Sequence, residues 1–293
     1  MKIHQILLFG LVLSLLTFGL AGCQFGEKEK VEYGNQGIVI EQIQGAPPSQ
    51  VSKGEEFPIM LTIENKGSYD VKPGEVKVFL EGIEPSLFSL TSDDLEKENT
   101  MELKKARRLE EISGGKEKID FTDKAKYVGQ NVDFTQPIKY VSCYNYETEV
   151  QANICFALEE NIVCSLEGDK IKDALVGDAP VQITSITEER SGQNVLVKFK
   201  IENKGNGRVY APEANCKIPE PFLTNSVEVS LETEEPFDCT PTLINAKSGE
   251  GRVNSIIACK RNMKDTANHL SPVKFKLRYK YIEVSDATIK VTE

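Results

Sequence analysis

Apolar and polar residues alternate in short runs along most of the chain after residue 37. Five of these runs carry apolar side chains at every second position: Phe57, Ile59, Leu61, Ile63; Val76, Val78, Leu80; Val195, Val197, Phe199, Ile201; Val227, Val229, Leu231; and Val273, Phe275, Leu277, Tyr279, Tyr281. Because successive side chains of a β-strand point to opposite faces, each run predicts a strand with one buried face. Gly, Pro and Asn separate the runs, which is typical of turns. The pattern predicts an all-β protein.

One stretch departs from this alternation. Met101 to Ile112 is highly charged and carries apolar residues at Leu103, Ala106, Leu109 and Ile112. This spacing of three residues fits a helix, but the segment is short and lies among strands. It predicts either a helix within a loop or an edge strand.

The chain contains an internal repeat. Ile63–Gly67 recurs letter for letter as Ile201–Gly205, and the Tyr-x-Tyr of Tyr144–Tyr146 recurs in Tyr279–Tyr281, each followed at the same distances by Ala and Ile. Two separated blocks with nearly the same spacing indicate two copies of one domain. The predicted bounds are 37–164 and 180–293, with 165–179 as a linker.

The repeated residues have a structural interpretation. An apolar strand that ends in Glu-Asn-Lys-Gly runs into a turn, because Asn and Gly tolerate the left-handed conformation of such a corner. The tyrosines alternate with polar residues, so they fit one face of a strand near the end of each copy. Core packing is favoured for them over stacking against a ligand.

The N-terminus looks like an export signal. A single Lys2 precedes an apolar run from Ile6 to Leu20, which is shorter than the roughly 20 residues of a membrane-spanning helix. The following Leu20–Cys23 resembles the lipobox of prokaryotic lipoproteins. That resemblance implies a signal peptide of residues 1–22, cleavage before Cys23 and a diacylglyceryl group on the Cys23 thiol, which suffices for stable anchoring. An uncleaved anchor that happens to contain Cys23 is the alternative.

The predicted location is therefore the extracytoplasmic face of the cell membrane, with the lipid on Cys23 as the membrane contact. Residues 23–36 are polar and predict a tether, whose 13 residues after Cys23 span at most about 45 Å. This length places the first domain near the membrane and leaves the second facing outward.

Export changes the interpretation of the remaining cysteines. They are even in number, as expected for disulfides in an oxidising compartment, and no Cys-x-x-C motif is present: Cys143, Cys155, Cys164, Cys216, Cys239 and Cys259. Cys155 with Cys164 would staple a hairpin, and Cys239 with Cys259 would join two strands. Cys143 and Cys216 either form the third pair or are free, in which case Cys143 is a candidate redox thiol.

Composition excludes several classes of function. The net charge of −10 argues against nucleic acid and anionic lipid surfaces as partners. His4 leaves with the signal peptide, so His269 is the one histidine of the exported chain, too few for a Ser-His-Asp triad within each domain or a His-rich zinc site.

Acidic and glycine clusters add no clear site. Asp93–Glu96 and Glu232–Glu235 lack the alternating spacing of a calcium loop. Gly114–Gly115 and Gly249–Gly251 lack the strand-loop-helix context of a phosphate-binding loop. We therefore predict no catalytic residue, no metal site and no cofactor.

A family resemblance rests on the repeated strand and turn. Leu61–Gly67 and Phe199–Gly205 have the form apolar-x-apolar-x-Asn-x-Gly, and a second strand, Glu75–Leu80, follows the first copy. This resembles CARDB and related immunoglobulin-like modules of bacterial and archaeal surface proteins, and the whole chain resembles tandem-domain lipoproteins of small-genome archaea. The resemblance implies two tandem immunoglobulin-like β-sandwich domains, a surface location and no enzymatic activity. The Trp and the Cys-Trp-Cys spacing of antibody domains are missing.

The predicted function is that of a non-enzymatic cell-surface lipoprotein, presenting two immunoglobulin-like domains for binding, adhesion or envelope structure. A protein or polymer is the expected partner. The favoured contact surfaces are exposed edge strands and the loop Ala211–Asn225, with Pro212, Pro219 and Pro221. The loop could equally serve as cover for the sandwich.

A function of another class is the alternative. An accessory lipoprotein could bind a small molecule for a transporter, or the protein could be a cofactor-free hydrolase. The first version needs a hinged α/β pattern, and the sequence has almost no amphipathic helix from which to build one.

Overall fold

The alternating runs fold as β-strands, and the prediction of an all-β protein is confirmed. A computed structural model describes residues 34–158, 164–233, 237–240, 243–245, 254–264 and 267–293. Its strands are β1 (Ile38–Gln42), β2 (Gln50–Ser52), β3 (Glu56–Asn65), β4 (Val76–Glu81), β5 (Glu96–Glu98), β6 (Lys116–Lys126), β7 (Phe134–Phe156), β8 (Leu175–Val176), β9 (Val181–Ser191), β10 (Asn194–Asn203), β11 (Arg208–Tyr210), β12 (Ser226–Glu232), β13 (Asp238–Thr240), β14 (Leu243–Asn245), β15 (Asn254–Asn262) and β16 (His269–Thr292). Short 3-10 turns lie at Pro85–Phe88, Ser92–Asp94, Arg108–Glu110, Lys170–Asp173 and Pro221–Leu223. The predicted signal peptide, Cys23 and the tether up to residue 33 lie outside these residues.

A central sheet runs through both copies of the repeat. Its strand order is β14-β12-β16-β7-β4-β5, with β2 and β11 paired to β16 and β8 paired to β7. The two longest strands, β7 and β16, pair antiparallel from Phe134 opposite Val291 to Phe156 opposite His269. The segments 37–164 and 180–293 therefore share one sheet. That they are separate domains stays a prediction.

Two smaller sheets cover one face of the central sheet. The sheet β1-β3-β6 comes from the first copy and the sheet β13-β15-β10-β9 from the second. Phe121 of β6 stacks on Tyr140 of β7 with ring centroids 5.9 Å apart, and Phe199 of β10 meets Phe275 of β16 at 5.1 Å. The layers bury one continuous apolar core, as in a β-sandwich.

The register of β7 and β16 places the two copies about a pseudo-two-fold axis. Asn145 lies opposite Lys280, and around this point Tyr144 faces Tyr281 and Tyr146 faces Tyr279. The equivalent strands of the two copies thus pair antiparallel, with equivalent residues on either side of the axis. Two identical subunits meet in this way at a symmetric dimer interface, but here both halves belong to one chain. All four tyrosines are at most 2% exposed, so they pack in the core.

The repeated pentapeptide makes a repeated contact with these tyrosines. In the first copy the Tyr146 hydroxyl donates to Asn65 Oδ1 at 3.1 Å, and the same oxygen accepts from Gly67 N. Asn65 Nδ2 donates to Tyr69 O, four residues further along the turn. A Cβ at Gly67 would collide with the Tyr146 hydroxyl, so the close approach requires glycine.

The second copy repeats this arrangement. The Tyr281 hydroxyl donates to Asn203 Oδ1 at 3.1 Å, Gly205 N donates to the same oxygen, and Asn203 Nδ2 donates to Gly207 O. A Cβ at Gly205 would also meet the tyrosine hydroxyl. The Asn, the Gly and the distant Tyr of the repeat are thus explained by one structural unit.

The charged residues of the pentapeptide form ion pairs. Lys66 lies 3.4 Å from Glu64 and 2.9 Å from Glu41, and Lys204 pairs with Glu202. Hydrogen bonds from Lys200 and Lys204 lower the pKa of Glu202 to about 2. These pairs lie at the surface beside each turn.

The segment Met101–Ile112 is neither the helix nor the edge strand that its spacing predicts. It is an irregular loop with isolated bridges from Val71 to Leu103 and from Arg107 to Ile112, and one 3-10 turn. Leu103 is fully buried whereas Ile112 is 49% exposed, so the segment has no continuous buried stripe to stabilise a helix.

The predicted linker, 165–179, is bound to the rest of the molecule. Leu175–Val176 pairs with β7, and Asp169 Oδ1 accepts hydrogen bonds from Ile171 N and from Ile186 N of β9. Ser68 N of the first copy donates to Asp178 O. The segment is thus an ordered connection that contacts both copies.

The tyrosine contacts yield a stability prediction. Removing a buried hydroxyl that is hydrogen-bonded costs about 1 kcal/mol, so Tyr146→Phe and Tyr281→Phe should each lower the free energy of unfolding by about that amount. Tyr144 supplies the matched control, because its buried hydroxyl has no hydrogen-bond partner among the described residues. Tyr144→Phe should be neutral or stabilising in urea unfolding. An equal loss in all three variants would contradict the assigned hydrogen bonds.

Candidate interaction surface

The central sheet has one face that the smaller sheets do not cover. Because Tyr144 and Tyr146 point into the core, Cys143, Asn145 and Glu147 of β7 point the opposite way, and so do their partners on β16. We call this side the outer face. It carries the loop Ala211–Asn225, one of the two surfaces that the sequence favoured for binding.

The loop Ala211–Asn225 lies on the outer face over the first copy. Cys216 of the loop forms a disulfide with Cys143 of β7, whose side chain is fully buried. Around this disulfide the loop covers a small apolar cluster that includes Phe79, Val141 and Ile282. The sequence left two roles open for this loop, contact with a partner and cover for the sandwich. The structure shows that the loop covers the sandwich.

Polar contacts hold the same loop in place. Lys217 lies 2.7 Å from Glu96 and its Nζ is 5.6 Å from the centroid of the Phe79 ring. Lys280 Nζ donates to Ala214 O, and burial lowers the pKa of Lys280. A shallow hollow of about 450 Å³ remains between the loop and the sheet, lined in part by Lys77 and Asn215.

The tip of the loop presents apolar side chains to solvent. Ile218 is 81% exposed and Phe222, in the 3-10 turn Pro221–Leu223, is 69% exposed. A loop that is already fixed loses little conformational entropy when it binds a partner. Exposed apolar and aromatic side chains in such a setting are typical anchors of protein interfaces.

The other two disulfides link residues that the sequence paired. Cys155–Cys164 ties the segment after β7 back onto that strand. Cys239–Cys259 joins directly opposite residues of β13 and β15. With Cys143–Cys216, the six cysteines among the described residues are all in disulfides, so Cys143 is not a free redox thiol in this structure.

Between Cys143 and Cys155 of β7, the outer face carries a row of paired charged side chains, which we call the charge ladder. Arg278 Nε lies 2.9 Å from Glu147, and Lys276 lies 3.4 Å from Glu149 and 2.6 Å from Glu232. The hydrogen bond with Glu232 raises the pKa of Lys276. Glu147 is 9% exposed and the Lys276 side chain is 18% exposed, so these charges are largely withdrawn from water and each is compensated by its partner.

The residues considered for chemistry have structural contacts. His269 stacks on Phe156 with ring centroids 5.1 Å apart. Asp94 Oδ2 accepts hydrogen bonds from Thr91 N and Oγ1, as part of a capping box. Glu234, Glu235 and Gly249–Gly251 lie outside the described residues.

Across the described ranges, no three His, Cys, Asp or Glu side chains are arranged to hold a metal ion. No helix in these ranges has the length and apolar character needed to cross a bilayer.

Glu188 is a buried carboxyl that the sequence reasoning did not find. It lies on β9, is 8% exposed, and both of its oxygens accept from Cys155 N at 3.1 Å. Burial raises the pKa of Glu188 to about 7, against the opposing effect of that hydrogen bond. The sequence gives only weak evidence for this burial. Glu188 lies on the same face of β9 as the buried Ile183 and Ile186, but a bulge in the β9–β10 pairing interrupts the alternation between them.

Comparisons with known proteins do not assign a family. No protein-family model and no curated protein matches the chain. Among solved structures, the secreted serine protease VesC from Vibrio cholerae is aligned at 10% identity and a TM-score of 0.19, over 86% of this chain and 51% of that one. An Escherichia coli alpha-2-macroglobulin activated by porcine elastase is aligned at 10% identity and a TM-score of 0.18, over 89% of this chain and 22% of that one. This chain thus spans about half of the first structure, and similarity at these scores carries no argument about function.

The disulfides should differ in their contribution to stability. Loop-closure entropy gives about 4 kcal/mol for a separation of 73 residues, as in Cys143–Cys216, and about 3 kcal/mol for 9 residues, as in Cys155–Cys164. Denaturant unfolding of the two double Cys→Ala variants should therefore show the larger loss for Cys143/Cys216. The reverse order would show that loop-closure entropy does not set the relative contributions of the two disulfides.

Glu188 should give a pH-dependent contribution of defined sign. Its pKa is about 7 in the folded protein against an ordinary value of 4.5, so the native state binds the proton more tightly. Glu188 therefore contributes fully to the free energy of unfolding below about pH 4.5, and this contribution is lost as the pH rises through about 7. Relative to wild type, Glu188→Gln should therefore be more stable at pH 8 than at pH 5 in urea unfolding. A pH-independent difference would contradict the raised pKa.

Proposed function

We propose that this protein is a non-enzymatic, lipid-anchored surface protein that binds a protein or polymer partner through its outer face. The observation that carries the proposal is the fixed loop Ala211–Asn225 with Ile218 and Phe222 exposed at its tip. These two side chains lie in one loop that a disulfide and an ion pair hold in place, so they present apolar surface to a partner at a fixed position.

The pairing of cysteines supports the proposed compartment. Three disulfides in one chain are typical of exported proteins, because cytosolic thiols are kept reduced. Export agrees with the lipobox resemblance of Leu20–Cys23 and leaves Cys23 as the cysteine for lipid attachment. The proposed location is the outer surface of the cell membrane.

The proposed domain type rests on the repeat. Each copy contributes strands to two packed layers, with the motif of Leu61–Gly67 and Phe199–Gly205 as a strand and its turn. This supports two immunoglobulin-like halves of the kind suggested by the CARDB resemblance. An archaeal source stays a prediction.

Binding is favoured over catalysis by the roles of the titratable side chains. His269 packs against Phe156, and the outer-face carboxylates Glu147, Glu149 and Glu232 are engaged by Lys and Arg. A general acid or base needs a side chain that can reach a substrate and exchange its proton. These contacts favour a supporting role for each group.

Site-specific photo-crosslinking in intact cells tests the binding surface. A photoreactive residue at position 218 should capture a discrete partner, since Ile218 lies at the exposed tip of the loop. The matched control is position 256, because Ile256 is 70% exposed on β15, away from this loop. Purified exported chain should compete for the crosslink, and the same chain with Ile218→Ser and Phe222→Ser should compete several-fold less well. Equal capture from both positions, or equal competition by the variant, would refute the proposed surface.

A further inference from the structure

The chain enters the described fold on the pseudo-two-fold axis. Gly34 N donates to Asp178 Oδ1 at 2.5 Å, and Gly34 O accepts from Ala179 N at 3.1 Å and from Gln182 Nε2 at 2.8 Å. The last residues of the predicted tether, 34–36, are therefore bound to the fold. Only the ten residues from Gln24 to Tyr33 separate Cys23 from this point.

Both repeated turns flank this entrance. Lys66 N of the first copy donates to Gly37 O at 2.8 Å, and Lys204 N of the second donates to Pro180 O at 2.7 Å. Asn35 Nδ2 also donates to Lys204 O at 3.0 Å. The start of the described chain thus contacts the turns of both copies. We call this side, which carries Lys66 and Lys204, the turn side.

The turn side lies across the central sheet from the outer face. A Cβ at Gly37 would lie 2.8 Å from the hydroxyl of Tyr144, whose side chain points into the core from β7. Lys280, at the centre of the same pair of strands, points the other way and donates to Ala214 O of the covering loop. The sheet and its tyrosines separate the two surfaces.

We propose that the turn side faces the lipid bilayer, so that the two copies lie side by side above it and the outer face is directed away. This inference rests on the proposed lipid anchor at Cys23. It revises the expectation that the first domain lies near the membrane and the second faces outward, because the chain enters between the copies rather than at the far end of the first.

The number of residues between Cys23 and Gly34 supports this orientation. Ten residues of backbone span at most about 35 Å. If the outer face lay on the bilayer, the tether would first have to reach the edge of the central sheet, which is about 14 Å from the middle of six strands. It would then have to cover the thickness of the two layers, at least about 20 Å more. That path uses nearly the whole length that ten residues can span.

The chemistry of the turn side suits contact with lipid headgroups. Lys66 and Lys204 are partly exposed and paired with glutamates, and Arg108 lies 3.8 Å from Asp178. Charges of both signs at a hydrated surface fit the headgroup zone and oppose insertion into the hydrocarbon. The occupant of this surface is the bilayer that holds the anchor.

Amine footprinting on vesicles tests the orientation. The exported chain, beginning at Cys23, is coupled through the Cys23 thiol to a maleimide lipid in phosphatidylcholine vesicles, since the other six cysteines are in disulfides. Acetylation of Lys66 and of Lys204 should be several-fold slower on vesicles than in the uncoupled protein. Lys217 and Lys274, on the outer face, should react equally in both. Insertion of about 20 Gly and Ser residues before Tyr33 should abolish the protection.

The outcomes separate this inference from the proposed anchor. Protection of Lys66 without Lys204 would show the first copy alone near the membrane, and protection of Lys217 would show the opposite orientation; either overturns the inference, as does protection of none. Because the coupling is chemical, this experiment is independent of lipidation in cells. Mass spectrometry of membrane fractions tests that separately, and an unmodified or uncleaved Cys23 would remove the proposed anchor but leave the footprint valid.

Discussion

The antiparallel pairing of β7 with β16 is the interaction on which the rest of the structure depends. It runs from Phe134 opposite Val291 to Phe156 opposite His269 and joins the two copies of the repeat into one sheet. Each of these strands would otherwise present a long unpaired edge, which proteins avoid because it invites aggregation. The pairing also brings four tyrosines together at the axis, where Tyr146 and Tyr281 bind the turn of their own copy.

Much of the fold was accessible from the sequence, because it is written in local patterns. Alternation predicts which residues face the core, and Ile63–Gly67 with its second occurrence predicts the turns. The cysteine pairs follow from separation and parity, although Cys143 with Cys216 was the least determined. Their pairing depends on a loop that crosses to the other copy, and no spacing rule encodes that path.

The shared sheet could not be predicted in the same way. Alternation along β7 specifies its two faces but not its neighbours, since any strand edge offers the same backbone donors and acceptors. The outer face was found in part, through the loop Ala211–Asn225. The charge ladder of Glu147 and Arg278 was missed because its members are far apart in sequence, and Glu188 was missed because a bulge shifts its phase.

The separation of β16 from β7 along the chain has a consequence for biosynthesis. The strands β8 to β15 are all made between β7 and the strand that completes it, so a nascent chain holds β7 with one side open until β16 has been synthesised. Contacts of such high sequence separation form slowly. The central sheet is therefore completed only after strands of both copies have been synthesised.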